Sequence, residues 1–447
     1  MSPLALLIAY AVPMLLAGWY FSRHAGTQDF LIANRANPGL IMGAGIIIGW
    51  VDAGWFAFYG GLGYTLGWDS LSVVLGNLLA FAVLGTYAGR IKIISSQHDM
   101  HGIGDWFRHY FGNDTARIIA VAITISFLAW LTATFVAAGL IMGQLFGLPY
   151  QAVIAGCGLI TLPLLMKGGY GTLTKFDMLQ MLVAAVALAL VYALGFKDKS
   201  VLTLPRLNTF LGGGVFPFIT MALTFFSATV CAGDVWQRVF AARSPQAART
   251  GFMVAGAMSI PAFLAAALIG MAAKGAGYNG PDYDAFAYGF TTFFTPFAQG
   301  LLLLTMLAAS LSTINVAVFG GAMSFAKDFS KTLPDDETLK TRLQYVMAGM
   351  VVLACAIALV NRDIMTIALT VLSACTCFVP LLLLSLSGYT MRRSYSAKLA
   401  ALLALLSYLG LIISGNMTPA LSSLPLFVNL AVLAICEIAV IFRARTV

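Results

Sequence analysis

The stretch GWVDAGWFAFYGG, Gly49 to Gly61, places the carboxylate of Asp52 among tryptophan, phenylalanine and glycine, with apolar sequence on both sides. A charged carboxylate at the centre of a membrane helix costs about 2.5–3.5 kcal/mol on insertion scales, so such a residue faces a cavity or a partner. Gly49, Gly54, Gly60 and Gly61 surround it, and that much glycine lets a helix open and expose backbone carbonyls. The reading is a membrane helix broken beside Asp52.

The rest of the chain supplies the membrane. Of 447 residues, 60% are hydrophobic and only 9% charged, and the mean hydropathy is +0.91, outside the range of soluble globular domains. Apolar runs long enough to cross a hydrocarbon core of about 30 Å recur throughout, and helices follow because irregular backbone cannot face lipid. We place about thirteen transmembrane helices, at roughly 3–22, 38–66, 68–89, 118–146, 149–166, 173–196, 213–235, 250–273, 297–326, 343–361, 364–390, 397–415 and 423–442. The first run, Leu4 to Tyr20, precedes its basic residues and reads as a retained helix, not a signal peptide. With the N-terminus outside, twenty lysines and arginines fall on the inner side, while Lys197, Lys199, Arg206, Lys274 and Arg362 stay outside. That bias predicts N-out, C-in, in a bacterial-type cytoplasmic (plasma) membrane. The formal charge of +8 is thereby a topological signal and implies no nucleic acid. The six cysteines all lie in predicted spans without metal or disulfide spacing and read as packing residues.

Polar residues at membrane depth concentrate in four places. Besides Asp52, these are Thr174 and Asp177 in the sixth span, Thr224, Ser227, Thr229 and Gly233 in the seventh, and Ser310, Ser312, Thr313 and Asn315 in the ninth. Taken singly, serines and threonines in membrane helices usually bond back to their own helix or to a neighbour. The adjacent hydroxyls of Ser312 and Thr313, set against an opened helix, instead suggest hard oxygen ligands for a cation such as sodium. The candidate broken helices, the second and the seventh, are five apart, which fits two five-helix units of inverted topology binding substrate and ion where the breaks face each other.

At these same segments the sequence resembles the sodium/solute symporter family. DFLIANR, GGLGYTLG, GGYGTLTKFDMLQ, DVWQRVFAARSPQAA and LSTINVAVFGGAMSFAKDF are similar to family signatures in the expected order. The resemblance implies an all-α integral membrane fold with a LeuT-type core of two inverted five-helix repeats. A leading helix and loop would occupy 1–37, the first repeat 38–196, the second repeat with its loops 197–390, and two trailing helices 391–447. It implies a sodium ion held by backbone oxygens of Ile48, Val51 and Ala309 and hydroxyls of Ser312 and Thr313, with Asp177 supporting the ion pathway near the cytoplasmic mouth. Positions that hold a second sodium in some members are Asn315 and Val316 here, which implies one sodium per cycle. Within the family the second span is most similar to the choline transporter branch. Two of that branch's cage tryptophans fall on Trp50 and Trp130, while the other two cage positions fall on Asn77 and Ala232. The implied substrate residues are Trp50, Asp52, Trp55, Asn77, Trp130, Phe225 and Ala228.

Two readings of Asp52 stay open: a counter-ion for the ammonium of a small cationic or zwitterionic substrate resting on aromatic faces, or a structural ligand of the opened helix. Asp234 and Arg238 read as an ion pair at an inner helix end, and His98, His101 and His109 as a cluster in a cytoplasmic loop. The expected function is sodium-coupled import of a small organic amine, with a neutral or anionic solute as the alternative. No obligatory protein partner is expected beyond the surrounding lipid. A sensor reading would need a separate signalling partner, because the chain ends at RARTV. An enzyme would want a cluster of His, Cys or carboxylates at one depth, and all four histidines fall in predicted loops.

Overall fold

The computed structural model describes residues 12–13, 16–23, 25–143, 147–197, 210–330, 334–389, 394–418 and 421–445. The first expected span therefore lies mostly outside the described residues. The helices are α1 (Thr27–Ile32), α2 (Gly39–Ile48), α3 (Ala53–Leu66), α4 (Leu71–Gln97), α5 (Ile103–Ala137), α6 (Tyr150–Leu194), α7 (Val215–Cys231) and α8 (Gly233–Ala241). They continue as α9 (Pro245–Gly275), α10 (Ala285–Phe293), α11 (Pro296–Met323), α12 (Asp336–Val360), α13 (Ile364–Thr376), α14 (Val379–Ser387), α15 (Ser394–Ile413) and α16 (Leu424–Arg445). Among the described residues the only β pairing is two isolated bridges, Asn37 with Ala242 and Phe196 with Phe294.

Eight stretches among the described residues are long and apolar enough to cross a membrane, and the bent pair α7 and α8 makes a ninth. Of the thirteen expected spans, the first lies mostly outside the described residues, the last is a shorter apolar helix, and two pairs run on as single stretches, Ala53–Gln97 and Tyr150–Val191. The 45 residues of α6 would reach about 67 Å at 1.5 Å per residue, more than twice a hydrocarbon core. The one residue inside α6 with non-helical angles is Gly169 (φ 54°, ψ −146°), between the two spans expected there. Its positive φ suits glycine, and a Cβ would meet the Phe30 ring and carbonyl at 2.5 Å. Gly67 (φ 58°) separates α3 from α4 in the same way.

Close helix approach, not side-chain bulk, joins the first broken helix to α9. A Cβ on Gly43 would lie 2.5 Å from the Gly251 carbonyl, one on Gly63 2.1 Å from that of Ala267, and one on Gly270 1.9 Å from that of Gly60. In lipid, where apolar burial drives helices together only weakly, such backbone contact is a main source of association. The most enclosed span is Pro296–Asp328, containing α11, with 83% of its apolar window buried. It faces both broken helices, and the polar residues Ser310, Ser312 and Thr313 along it are completely buried.

Candidate functional site

The first break is the four-residue segment Gly49–Asp52 between α2 and α3. Asp52, extended at φ −99° and ψ −177°, caps α3: its Oδ1 accepts from Trp55 N at 2.6 Å. Its Oδ2 accepts from the Thr134 hydroxyl of α5 at 2.5 Å. The next free amide, Ala53 N, donates to Ser310 Oγ of α11 at 3.1 Å. A helix start buried in a membrane needs such partners, so the carboxylate that looked costly in sequence is fixed by the break it sits in.

The second break is at Ala232 (φ −59°, ψ 114°), where α7 and α8 meet at 40°. Asp234 lies in the first turn of α8 and is 2% exposed. Its Oδ2 accepts from Trp50 Nε1 at 3.0 Å, which ties the two breaks together. Its Oδ1 accepts no side-chain hydrogen bond from the described residues. The inner-end pair expected between Asp234 and Arg238 is therefore not what forms. Asp234 faces the centre, because the bend at Ala232 turns the first residues of α8 inward. The signal in sequence was the motif itself: CAGD, like WVD, sets a carboxylate just after small or extended residues that open a helix.

Between the breaks lies a cavity of about 150 Å³. Its wall contains all seven residues singled out for substrate, namely Trp50, Asp52, Trp55, Asn77, Trp130, Phe225 and Ala228, and also Ala232. Sequence reasoning missed Phe58, Tyr59, Phe127 and Phe378 in that wall, together with Thr229 and Asp234 as site residues. The rings brace one another: Trp50 stacks on Phe81 at 5.8 Å, Trp130 on Phe127 at 6.1 Å, and Trp55 packs on Tyr59 at 4.5 Å. Asn77 is already engaged, donating to the Val73 carbonyl at 2.8 Å and accepting from the Thr229 hydroxyl. Trp55 Nε1 has no partner among the described residues.

The residues singled out for sodium lie beside the first break. Ile48 and Ala309 share one small packing cluster with Ala184. The carbonyls of Ile48 and Val51 receive no backbone N–H from the described residues. Thr313 Oγ1 donates to the Ala309 carbonyl at 3.1 Å, a back-bond that leaves its lone pairs free. Ser312 Oγ donates to Asp177 Oδ1 at 2.5 Å, and Asp177 Oδ2 pairs with Arg238 Nη2 at 2.8 Å. Asp177 and Arg238 are 0% and 1% exposed, so the pair is a buried part of the core. The guanidinium lies against the glycine face of α2: a Cβ on Gly45 would be 2.2 Å from Arg238 Nη1, and one on Gly49 3.2 Å from Nη2. The oxygens here are those a hard monovalent cation takes.

The histidine cluster divides. His98 and His109, the latter on α5 and not in a loop, pack with tilted rings whose centres are 4.3 Å apart, whereas His101 turns inward. Lys327 Nζ donates to His101 Nδ1 at 3.0 Å and to Asp105 at 2.8 Å, and Arg108 bridges Asp105 and Asp328. Burial, and then the Lys327 ammonium, push His101 down to about 4 from 6.5. The folded protein thus keeps His101 neutral where the unfolded chain takes up a proton, and His101 contributes stability above about pH 6.5 that is lost as pH falls toward 4. Melting temperatures from pH 7.5 to 4.5 should fall less steeply in His101→Gln than in the unchanged protein, and identical slopes would contradict the assignment.

Membrane-length helices, two of them broken around a buried cavity, make the architecture of a multi-pass transport protein. No family model matches the chain. It is 24% identical over 369 residues to a sodium/proline symporter of Staphylococcus aureus, covering 76% of this chain and 71% of the relative. Its fold matches that of a Na+-coupled sialic acid symporter in a substrate-bound outward-open state, with a TM-score of 0.77 over 97% of this chain and 98% of the other at 15% identity. A nucleobase-cation-symport-1 family transporter, closed on bromovinylhydantoin, matches with a TM-score of 0.57 over 93% and 95% of the two chains at 14% identity. These similar proteins are transporters and not enzymes.

Proposed function

We propose that the protein is a sodium-coupled importer of a small organic amine and a member of the sodium/solute symporter family. The observation that carries this is the junction of the two breaks: Trp50 from one bonds Asp234 from the other across an aromatic cavity, beside a set of oxygens on α2 and α11. Likeness to a sodium/proline symporter supports sodium as the coupling ion.

In this reading sodium lies between the carbonyls of Ile48, Val51 and Ala309 and the hydroxyls of Ser312 and Thr313. It holds the first break in the shape that presents Trp50 and Trp55 to the solute, so each ligand favours the other by linkage. The two five-helix units then move against each other to open the cavity inward. With the N-terminus outside, each positive charge carried inward gains about 2.3 kcal/mol per 100 mV, and about 1.4 kcal/mol is tenfold in concentration ratio.

A thermal-shift screen of the purified protein against amines, amino acids, sugars and carboxylates, with sodium and then with potassium, tests this directly. Stabilisation by amines in sodium alone is the expected result. Equal stabilisation in potassium would remove sodium coupling, and stabilisation only by sugars or carboxylates would remove the amine.

A further inference from the structure

The cavity differs in one chemical respect from a site for amino acids. In a transporter with broken helices, the N-terminus of a half-helix is the natural seat for a substrate carboxylate, because free N–H groups and the positive end of the helix dipole point there. At each such end stands one of the protein's own carboxylates, whose charge opposes a second anion there. Asp52 caps α3 through Trp55 N, and Asp234 stands in the first turn of α8. No lysine, arginine or histidine is among the residues of the cavity wall. Arg238 is outside that wall and is paired with Asp177.

What the wall offers is the reverse. Asp52 has both oxygens engaged, by a backbone amide and by the Thr134 hydroxyl. Asp234 accepts one side-chain hydrogen bond, at Oδ2; its buried Oδ1 has no side-chain donor among the described residues, and the carboxylate is otherwise met only by amides at the start of α8 and by the field of Arg238. A buried carboxylate oxygen of this kind calls for a charged donor. The unpartnered donor in the wall, Trp55 Nε1, is neutral and suits a hydroxyl or carbonyl oxygen. An apolar cavity of this volume holds a molecule about the size of benzene.

We infer that Asp234, and not Asp52, is the counter-ion for the solute, and that the site selects small organic monocations bearing an N–H donor while rejecting zwitterions that add a carboxylate. This rests on the solute cavity of the proposed function, but it turns the specificity away from amino acids such as the proline of the sodium/proline symporter that the chain resembles.

Matched pairs test it: pyrrolidine against proline, and benzylamine against phenylglycine, each pair differing by one carboxylate. Binding to the purified full-length protein is measured by calorimetry in sodium and in potassium, and sodium binding separately with radioactive sodium. Each cation should bind at least about 30-fold more tightly than its zwitterion, the scale expected when a buried charge partner is present or absent. Asp234→Asn should weaken the cations by a similar factor and leave sodium binding unchanged, with Asp234→Glu recovering part of the loss. Proline binding as well as pyrrolidine, binding of neither cation, or Asp234→Asn with unchanged amine affinity would overturn the inference. Should Asp234→Asn not fold, the comparison of cation with zwitterion in the unchanged protein decides alone. The cation preference found equally in potassium would keep the inference and overturn the sodium coupling instead.

Discussion

Arg238→Met should destabilise the protein by about 3–5 kcal/mol, the usual consequence of leaving one member of a buried ion pair alone. Asp177 would keep only the Ser312 hydroxyl as partner, in a place that is completely buried. The reciprocal change is more informative about function. In Asp177→Asn the guanidinium of Arg238 stays against Gly45 and Gly49 of α2 without its ion-pair partner, with only the more distant Asp234 carboxylate to offset it. Two unit charges about 6 Å apart repel by roughly 3 kcal/mol at an effective dielectric near 20. A sodium ion beside Ile48 and Ser312 should therefore bind on the order of 100-fold more weakly in Asp177→Asn. The double change Asp177→Asn with Arg238→Met removes both charges, and it should regain most of the lost stability and part of the sodium affinity. Unfolding temperature and radioactive sodium binding on all four proteins form a complete cycle. Sodium affinity unchanged in Asp177→Asn would remove the ion from this place, and a double variant no more stable than Arg238→Met would show that the pair is not an energetic unit.

How much of this was legible in the sequence follows from the solvent. Lipid penalises every unsatisfied polar group, so Asp52, Ser310, Ser312, Thr313 and Asp177 stood out at membrane depth, and glycine density marked the first break. All seven residues picked for the solute do reach one cavity. What sequence could not divide was the labour among the carboxylates. Asp52 and Asp234 look alike as letters, and only the orientation of Thr134 on a third helix and of Trp50 across the break separates a satisfied cap from an open acceptor. The partner of Arg238 was equally hidden. Asp234 is four residues away, a spacing that favours pairing within a regular helix, but the break before α8 and the packing of α6 bring Asp177 to it instead. His101 shows the same limit: His98, at the end of α4, and His109, in α5, pack on each other, while the residue between them in sequence finds Lys327 just beyond α11. The motifs for the family resemblance carried the general architecture, whereas the number of separate spans depended on whether Gly67 and Gly169 interrupt a helix or end it.

Asp52 gives the other large effect, and the two ways of changing it should differ sharply. Asp52→Ala removes the cap of α3, worth about 0.5–2 kcal/mol, and leaves the Thr134 hydroxyl buried with one partner fewer, a loss of about 1–3 kcal/mol for such groups. Together these predict destabilisation of about 1.5–5 kcal/mol, and with it loss of the break beside the cavity. Asp52→Asn keeps the geometry. Its carbonyl oxygen can accept from Trp55 N, since asparagine caps helices as well as aspartate does, and its amide can donate to Thr134, whose hydroxyl rotates and also bonds its own helix through the Trp130 carbonyl at 3.1 Å. Asp52→Asn should therefore fold normally and weaken pyrrolidine less than Asp234→Asn does, since it loses only the longer-range attraction of a carboxylate on the same wall and no contact with the ammonium. A counter-ion would behave otherwise, because Asp52→Asn would then weaken amine binding about 30-fold, as Asp234→Asn is expected to do, with stability intact. The two asparagine variants, compared for pyrrolidine affinity, thus assign the solute's charge to one break or the other: the larger loss in Asp234→Asn places it at α8, and the larger loss in Asp52→Asn returns it to α3.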